Sequence, residues 1–343
     1  MKRQPDFNQF LKVLKREGKP DHLPFFEILA NSSFIAQQTG TDFDRMPIGV
    51  ELCKIYVDFW VNLGFDCVPL FRPLKIDLPS AEYHGGFSHG SEDHTAIRTM
   101  EDFEKFAWPS EESPIDFELL EMLGALLPDG VKLVAGVGNG PYEWLSSMMG
   151  TVGLSYALMD DPELVRLVAE KIGRLVVAGD RTLASTDAVG ALMQGDDLGF
   201  KTSTFLAPDD LRRLIFPIYK QMTATAHDAG KPFILHSCGQ LGEVYEDLIE
   251  DSKFDAKHSF EDAIQPVGDF KRLYGKRITP LGGLDVDMVC RGTEEELRAY
   301  TRKIVEECFT DGYWAFGTGN SLATYIPPEN YQTCIDEAIK ITS

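Results

Sequence analysis

Eight short apolar runs, most of them followed by a longer amphipathic stretch, constrain this chain more than any other feature. They lie at 23–27 (LPFFE), 64–70 (GFDCVPL), 131–137 (VKLVAGV), 189–194 (VGALMQ), 232–236 (PFILH), 254–260 (FDAKHSF), 278–284 (ITPLGGL) and 312–317 (GYWAFG). Runs of this length read as buried strands of a parallel sheet covered by helices. The intervening stretches carry helix signals. Residues 161–185 have apolar residues at helical spacing, 207–230 open on acids and close on Gly230, and 293–312 place Thr293 three before Glu296, a capping-box spacing. Eight such units with no Gly/Ser-rich linker predict an α/β chain, a (β/α)8 TIM barrel forming one domain over residues 1–343. A doubly wound open sheet is the alternative. It is weakened because no G-x-G-x-x-G follows an early strand, and the Gly-rich exit at 136–141, GVGNGP, loses an amide to Pro141.

Two segments break the rhythm. Residues 1–20 form an N-terminal amphipathic helix, and residues 72–110 form a loop insertion after strand 2. The insertion carries His84, His89 and His94 among glycines, a pattern read as a polar loop in preference to a metal site.

Charge and cysteine usage narrow the function. The formal net charge of −21 argues against nucleic acid or an anionic membrane as partner. No apolar run approaches the roughly 20 residues that span a bilayer, and the charged N-terminus does not read as a signal peptide, so a cytoplasmic location is expected. Six widely spaced cysteines are not a disulfide framework. Cys53, Cys67, Cys308 and Cys334 read as small core residues. Cys238 and Cys290 stand apart, each where a strand gives way to a loop.

Chemistry in a barrel gathers at the C-terminal strand ends. Those ends offer Glu27, Arg72, Asn139, Asp196, Asp197, His236, Cys238, His258, Glu261, Asp285, Asp287, Thr318 and Asn320. His236 and Cys238 alternate onto one side of their strand, about 7 Å apart along the backbone. They suit a zinc ion, which takes imidazole and thiolate together. A packed histidine beside a free cysteine fits the same pattern. Glu261, at the end of the neighbouring strand, offers a third ligand and leaves one position open, as in catalytic zinc sites. Cys290 is a further metal candidate. Asp196, Asp197, Glu27 and Asp285 are candidate catalytic carboxylates, with helix capping as the alternative for the aspartates. Asn139, Tyr142, His258 and Asn320 are candidates for substrate binding, with packing as the alternative for Tyr142.

The segments AHDAGKP, LHSCG, GGLDVD, RGTEEEL and GTGNSLATYIPPENY, between 226 and 331, resemble the uroporphyrinogen decarboxylase superfamily. The likeness is to its corrinoid-dependent methyltransferase branch, whose members are (β/α)8 barrels with zinc on an H-x-C motif and a later cysteine. It implies zinc at His236 and Cys238, and transfer of a methyl group between a small methylated substrate and a corrinoid protein. Suitable substrates are methoxylated aromatics, methanol, methylamines and thiols. The corrinoid is expected on a partner protein, because the chain has no Asp-x-His-x-x-Gly cobalamin-ligation motif. The sequence departs from the family twice. No arginine lies in residues 23–34, where the decarboxylase binds substrate carboxylates, and Asn320 stands near the place of the last zinc cysteine. A uroporphyrinogen-type lyase and a non-catalytic corrinoid- or small-molecule-binding homologue are the alternatives.

Overall fold

The computed structural model describes residues 3–78 and 95–342; His84, His89 and His94 lie outside them. Six parallel strands form one sheet in chain order: β1 (Cys67–Arg72), β2 (Lys132–Val137), β3 (Val189–Gly195), β4 (Phe233–His236), β5 (Ala256–His258) and β6 (Thr279–Leu281). The first and eighth runs continue the sheet through isolated parallel bridges. Ala315 pairs with Leu281, and Phe25 pairs with Phe316. The eight runs therefore follow one another around a TIM-barrel-like ring. The last seam, between residue 25 and β1, is held by side chains: the Cys67 thiol faces the Phe25 carbonyl at 3.9 Å, and the Phe25 ring meets Phe65 edge-on.

Each run sends small or medium apolar groups inward. Phe26, Cys67, Val134, Ala191, Met193, Ile234, Ala256, Leu281 and Ala315 form one buried cluster, a filled interior rather than a pore. The amphipathic helix α1 (Phe7–Lys15) adds Phe7, Phe10, Val13 and Leu14 to it. This helix covers the N-terminal end of the ring. Phe7 donates to the Gly130 carbonyl at 2.7 Å, Arg16 to the Asp255 carbonyl at 3.1 Å, and Thr279 to the Val13 carbonyl at 3.0 Å. All three attachments fall at or just before strand starts, so chemistry is left to the opposite end.

The outer layer follows its sequence signals. Thr293 and Glu296 close a capping box on helix Glu294–Cys308, and Asp161 caps helix Pro162–Ser185. The stretch 207–230 divides into Pro208–Leu214 and Phe216–Asp228. Pro217 has no amide hydrogen to continue the first helix, which breaks the single helix expected there. Cys53, Cys67, Cys308 and Cys334 are buried. No helix among the described residues is long and apolar enough to cross a membrane.

Asp180, inside helix Pro162–Ser185, is fully buried and neither carboxyl oxygen has a hydrogen-bond partner. Burial raises its pKa well above the ordinary 3.8. The folded chain therefore keeps this proton while the unfolded chain releases it above about pH 4, so stability falls as pH rises from there. Asp180→Asn keeps the shape and cannot ionise. It is expected to stabilise the protein by about 1–3 kcal/mol at pH 8. The gain should shrink towards pH 4, as read by urea unfolding at both pH values.

Candidate metal centre

The register of the parallel strands assembles the site. Gly195, His236 and His258 stand side by side on β3, β4 and β5. Two residues beyond, Asp197 and Cys238 meet: the Cys238 amide donates to Asp197 Oδ1 at 2.9 Å. His236 Nε2 lies 3.5 Å from Cys238 Sγ and 3.7 Å from Asp197 Oδ1. The three ligand atoms all fall within 4.8 Å of one another. Two donors reach the sulfur, Ser259 Oγ at 3.2 Å and Asn320 Nδ2 at 3.4 Å.

The turn after Cys238 depends on Gly239, at φ +85. A Cβ there would sit 2.2 Å from the Gly199 carbonyl carbon. This close approach lets the loop that leaves Asp197 pass over the Cys238 turn.

Behind the cluster, His258 is fully buried, its Nδ1 2.7 Å from His236 Nδ1 and its Nε2 3.1 Å from the Thr318 carbonyl. Thr318 is in turn bound to Glu27, through its amide and its hydroxyl at 2.6 Å each, and Tyr331 Oη donates to the same carboxyl at 2.9 Å. Burial pushes Glu27 up to about 8, brings His236 down to about 4 and takes His258 well below the usual histidine range. Burial, with Asp197 adding to it, pushes the Cys238 thiol up to about 12.

Asp196 and Asp197 part company. Asp196 is fully buried and accepts from the amides of Tyr142 and Glu143, at 3.0 and 2.8 Å, and from Tyr219 Oη at 2.6 Å. It caps helix Pro141–Met149, the alternative raised for it from sequence. Burial raises both Asp196 and its neighbour Glu143; the Asp196 and Asp197 charges raise Glu143 further, and the Asp197 charge raises Asp196. The three donors favour the charge on Asp196, leaving Glu143 as the proton holder.

The remaining candidates lie elsewhere. Glu261 is not in the donor cluster; it is exposed and lines a cleft of about 800 Å³ with Asp262, Asp285, Asp287, Arg291 and Asn320. Ser259 takes its place at the sulfur because Ser259 itself turns the chain, at φ +85. Cys290, on helix Val286–Arg291, also lies outside the donor cluster. Asp285 caps that helix, accepting from the amides of Asp287, Met288 and Asp262. Tyr142 is buried and stacks on Phe205 at 5.9 Å, whereas Asn139 is exposed. His258 does not face the cleft at all. Ser259 and Glu143 were missed from sequence, and Thr318 was read only as a strand-end residue, with no role assigned to it.

One solved structure shares this architecture. A methyltransferase from Methanosarcina mazei is 14% identical and aligns over 99% of this chain and 100% of its own, with a TM-score of 0.72. A Listeria monocytogenes protein described as a "putative vitamin-B12 independent methionine synthase" aligns over 94% of this chain and 97% of its own, at 14% identity and a TM-score of 0.47. A search of the curated proteins found no match. Residues 51–341 match the model for the family described as Uroporphyrinogen decarboxylase (URO-D), and the chain belongs to that family.

Proposed function

We propose that this chain is a zinc-dependent methyltransferase that moves a methyl group between a small methylated substrate and a corrinoid protein. The observation that carries the reading is the convergence of a thiol, an imidazole and a carboxylate within 4.8 Å at the open end of the ring. Sulfur, nitrogen and oxygen in one compact set suit zinc, and three protein ligands leave a position for substrate. Asp197, His236 and Cys238 would hold the ion. Bound zinc lowers the pKa of a coordinated thiol, or stabilises the departing oxygen or nitrogen of a methyl donor. Ser259 and Asn320 place two hydrogen bonds on the sulfur and so favour its thiolate. Burial and the neighbouring Asp196 and Asp197 push Glu143 up to about 8, so it is the proposed acid for a leaving group. The cleft beside Asn320 gives the substrate room, and its open mouth suits a docked corrinoid protein.

The lyase reading is less well supported. The cleft carries Glu261, Asp262, Asp285, Asp287 and Glu296 against one guanidinium, Arg291, which is itself paired with Asp287 at 2.9 Å. Arg72 is held by Asp116 at 3.2 Å. A porphyrinogen bearing many carboxylates would meet repulsion there.

Purified protein should transfer methyl groups to reduced cobalamin from at least one of methanol, methylamines, methoxylated aromatics or methylated thiols. It should carry about one zinc per chain, the stoichiometry of a single three-ligand site. Turnover of uroporphyrinogen by zinc-free protein, with no methyl transfer, would overturn the proposal.

A further inference from the structure

We propose that His258 and Glu27 are positioning residues that turn the bare Nε2 of His236 towards the donor cluster. The inference rests on the reading of His236 as a metal ligand, but its test does not depend on methyl transfer.

The Thr318 carbonyl can only accept, so His258 Nε2 carries the hydrogen in their 3.1 Å contact. A neutral His258 then has a bare Nδ1, which accepts from His236 Nδ1 at 2.7 Å. His236 is thereby fixed as the Nδ1-protonated tautomer, with its Nε2 lone pair facing Cys238 Sγ and Asp197. A doubly protonated His258 would reverse this order. It is disfavoured because the ring is fully buried and meets Phe26 edge-on at 5.3 Å, with no anion among the described residues to accept a second proton's charge at either nitrogen.

The relay begins at Glu27. This carboxyl, 1% exposed, holds Thr318 through its amide and hydroxyl and so fixes the carbonyl that orients His258. The Thr318 hydroxyl also lies 3.0 Å from the Asn320 carbonyl. The single Thr318 hydroxyl hydrogen lies between Glu27 Oε2 and the Asn320 carbonyl. One buried acid thus sets both the imidazole partner and the loop that brings Asn320 to the sulfur. Gly282 leaves the space: a Cβ there would lie 2.1 Å from the Thr318 oxygen and 3.0 Å from His258 Nε2.

The test has two readouts on full-length protein. Nitrogen-15 NMR of the metal-free chain reports the His236 tautomer, and cobalt(II) titration, followed by its visible absorption, reports affinity. The unaltered chain should show His236 protonated on Nδ1. His258→Leu should mix the tautomers and weaken cobalt binding about 10–100-fold. His258→Asn, whose side-chain oxygen can accept at the same place, should stay within about threefold of the unaltered chain. Glu27→Gln keeps a neutral hydrogen-bonding group and should also bind normally, whereas Glu27→Leu should weaken binding like His258→Leu. His236 protonated on Nε2 in the unaltered chain would overturn the proposal, as would His258→Leu binding cobalt normally. If the leucine variants fail to fold, the tautomer of the unaltered chain and the behaviour of His258→Asn decide it. A chain that binds no metal yet shows the Nδ1 tautomer defeats the proposed function and leaves the relay standing.

Discussion

Replacing Cys238 by alanine is expected to lower zinc affinity on the order of 10³-fold, so that purified protein falls from about one zinc per chain to almost none. The sulfur is the soft donor of the set, and nothing near it can substitute. Ser259 Oγ and Asn320 Nδ2 lie 3.2 and 3.4 Å away, but both act as hydrogen-bond donors to the sulfur. His236→Ala and Asp197→Ala should lose metal too. Glu261→Ala and Cys290→Ala should keep it, because neither side chain belongs to the donor cluster. Metal analysis of the five variants separates the assembled cluster from the ligand set expected from spacing alone. The same site carries a pH signature. Burial holds the Cys238 proton up to about pH 12, whereas zinc requires the thiolate. Each binding event therefore releases a proton across the neutral range. Apparent affinity should fall about tenfold for each pH unit lowered, as read by chelator competition at pH 6.5 and 7.5. Retention of full zinc by Cys238→Ala would sink the site.

Gly239→Ala is expected to cost about 3–5 kcal/mol of stability and to weaken the metal site with it. Two costs add. Alanine at φ +85 is strained, and its Cβ would overlap the Gly199 carbonyl carbon at 2.2 Å and the Phe200 nitrogen at 2.5 Å. These are backbone atoms, so no side chain can rotate away. The loop starting at Asp197 must move, and with it the carboxylate that accepts the Cys238 amide. Gly195→Ala is the control, since a Cβ there meets nothing within 4 Å. Thermal unfolding should show a clear drop for the first variant and almost none for the second.

The fold was the more legible part. Six of the eight apolar runs form strands of one parallel sheet, and the first and eighth join it only through isolated bridges; a strand buried on both faces must be apolar along its length, a property local sequence displays. The capping box at Thr293 and the stop at Gly230 were visible for the same reason: each is a backbone requirement met within a few residues. The break at Pro217 could also be read locally, and was outweighed by the amphipathic pattern around it. The site was legible as a set of candidate residues and not as a set of partners. Glu261 sat at the right interval for a ligand, but a left-handed residue at Ser259 turned the chain before Glu261 could reach the sulfur. Glu27, expected as a catalytic carboxylate, and His258, expected at the substrate, are buried behind the cluster.

By itself the sequence determined a ring of strand–helix units, a family and an H-x-C pair at the end of the fifth run, because periodicity and short motifs are properties of neighbours in the chain. Tertiary structure alone decided that Asp197 completes the donor set, that Asn320 and Ser259 attend the sulfur, and that Glu27 reaches His236 through Thr318 and His258. Those pairings join residues from 21 to 291 positions apart. They follow from strand register and from where each chain turns, which no local pattern encodes.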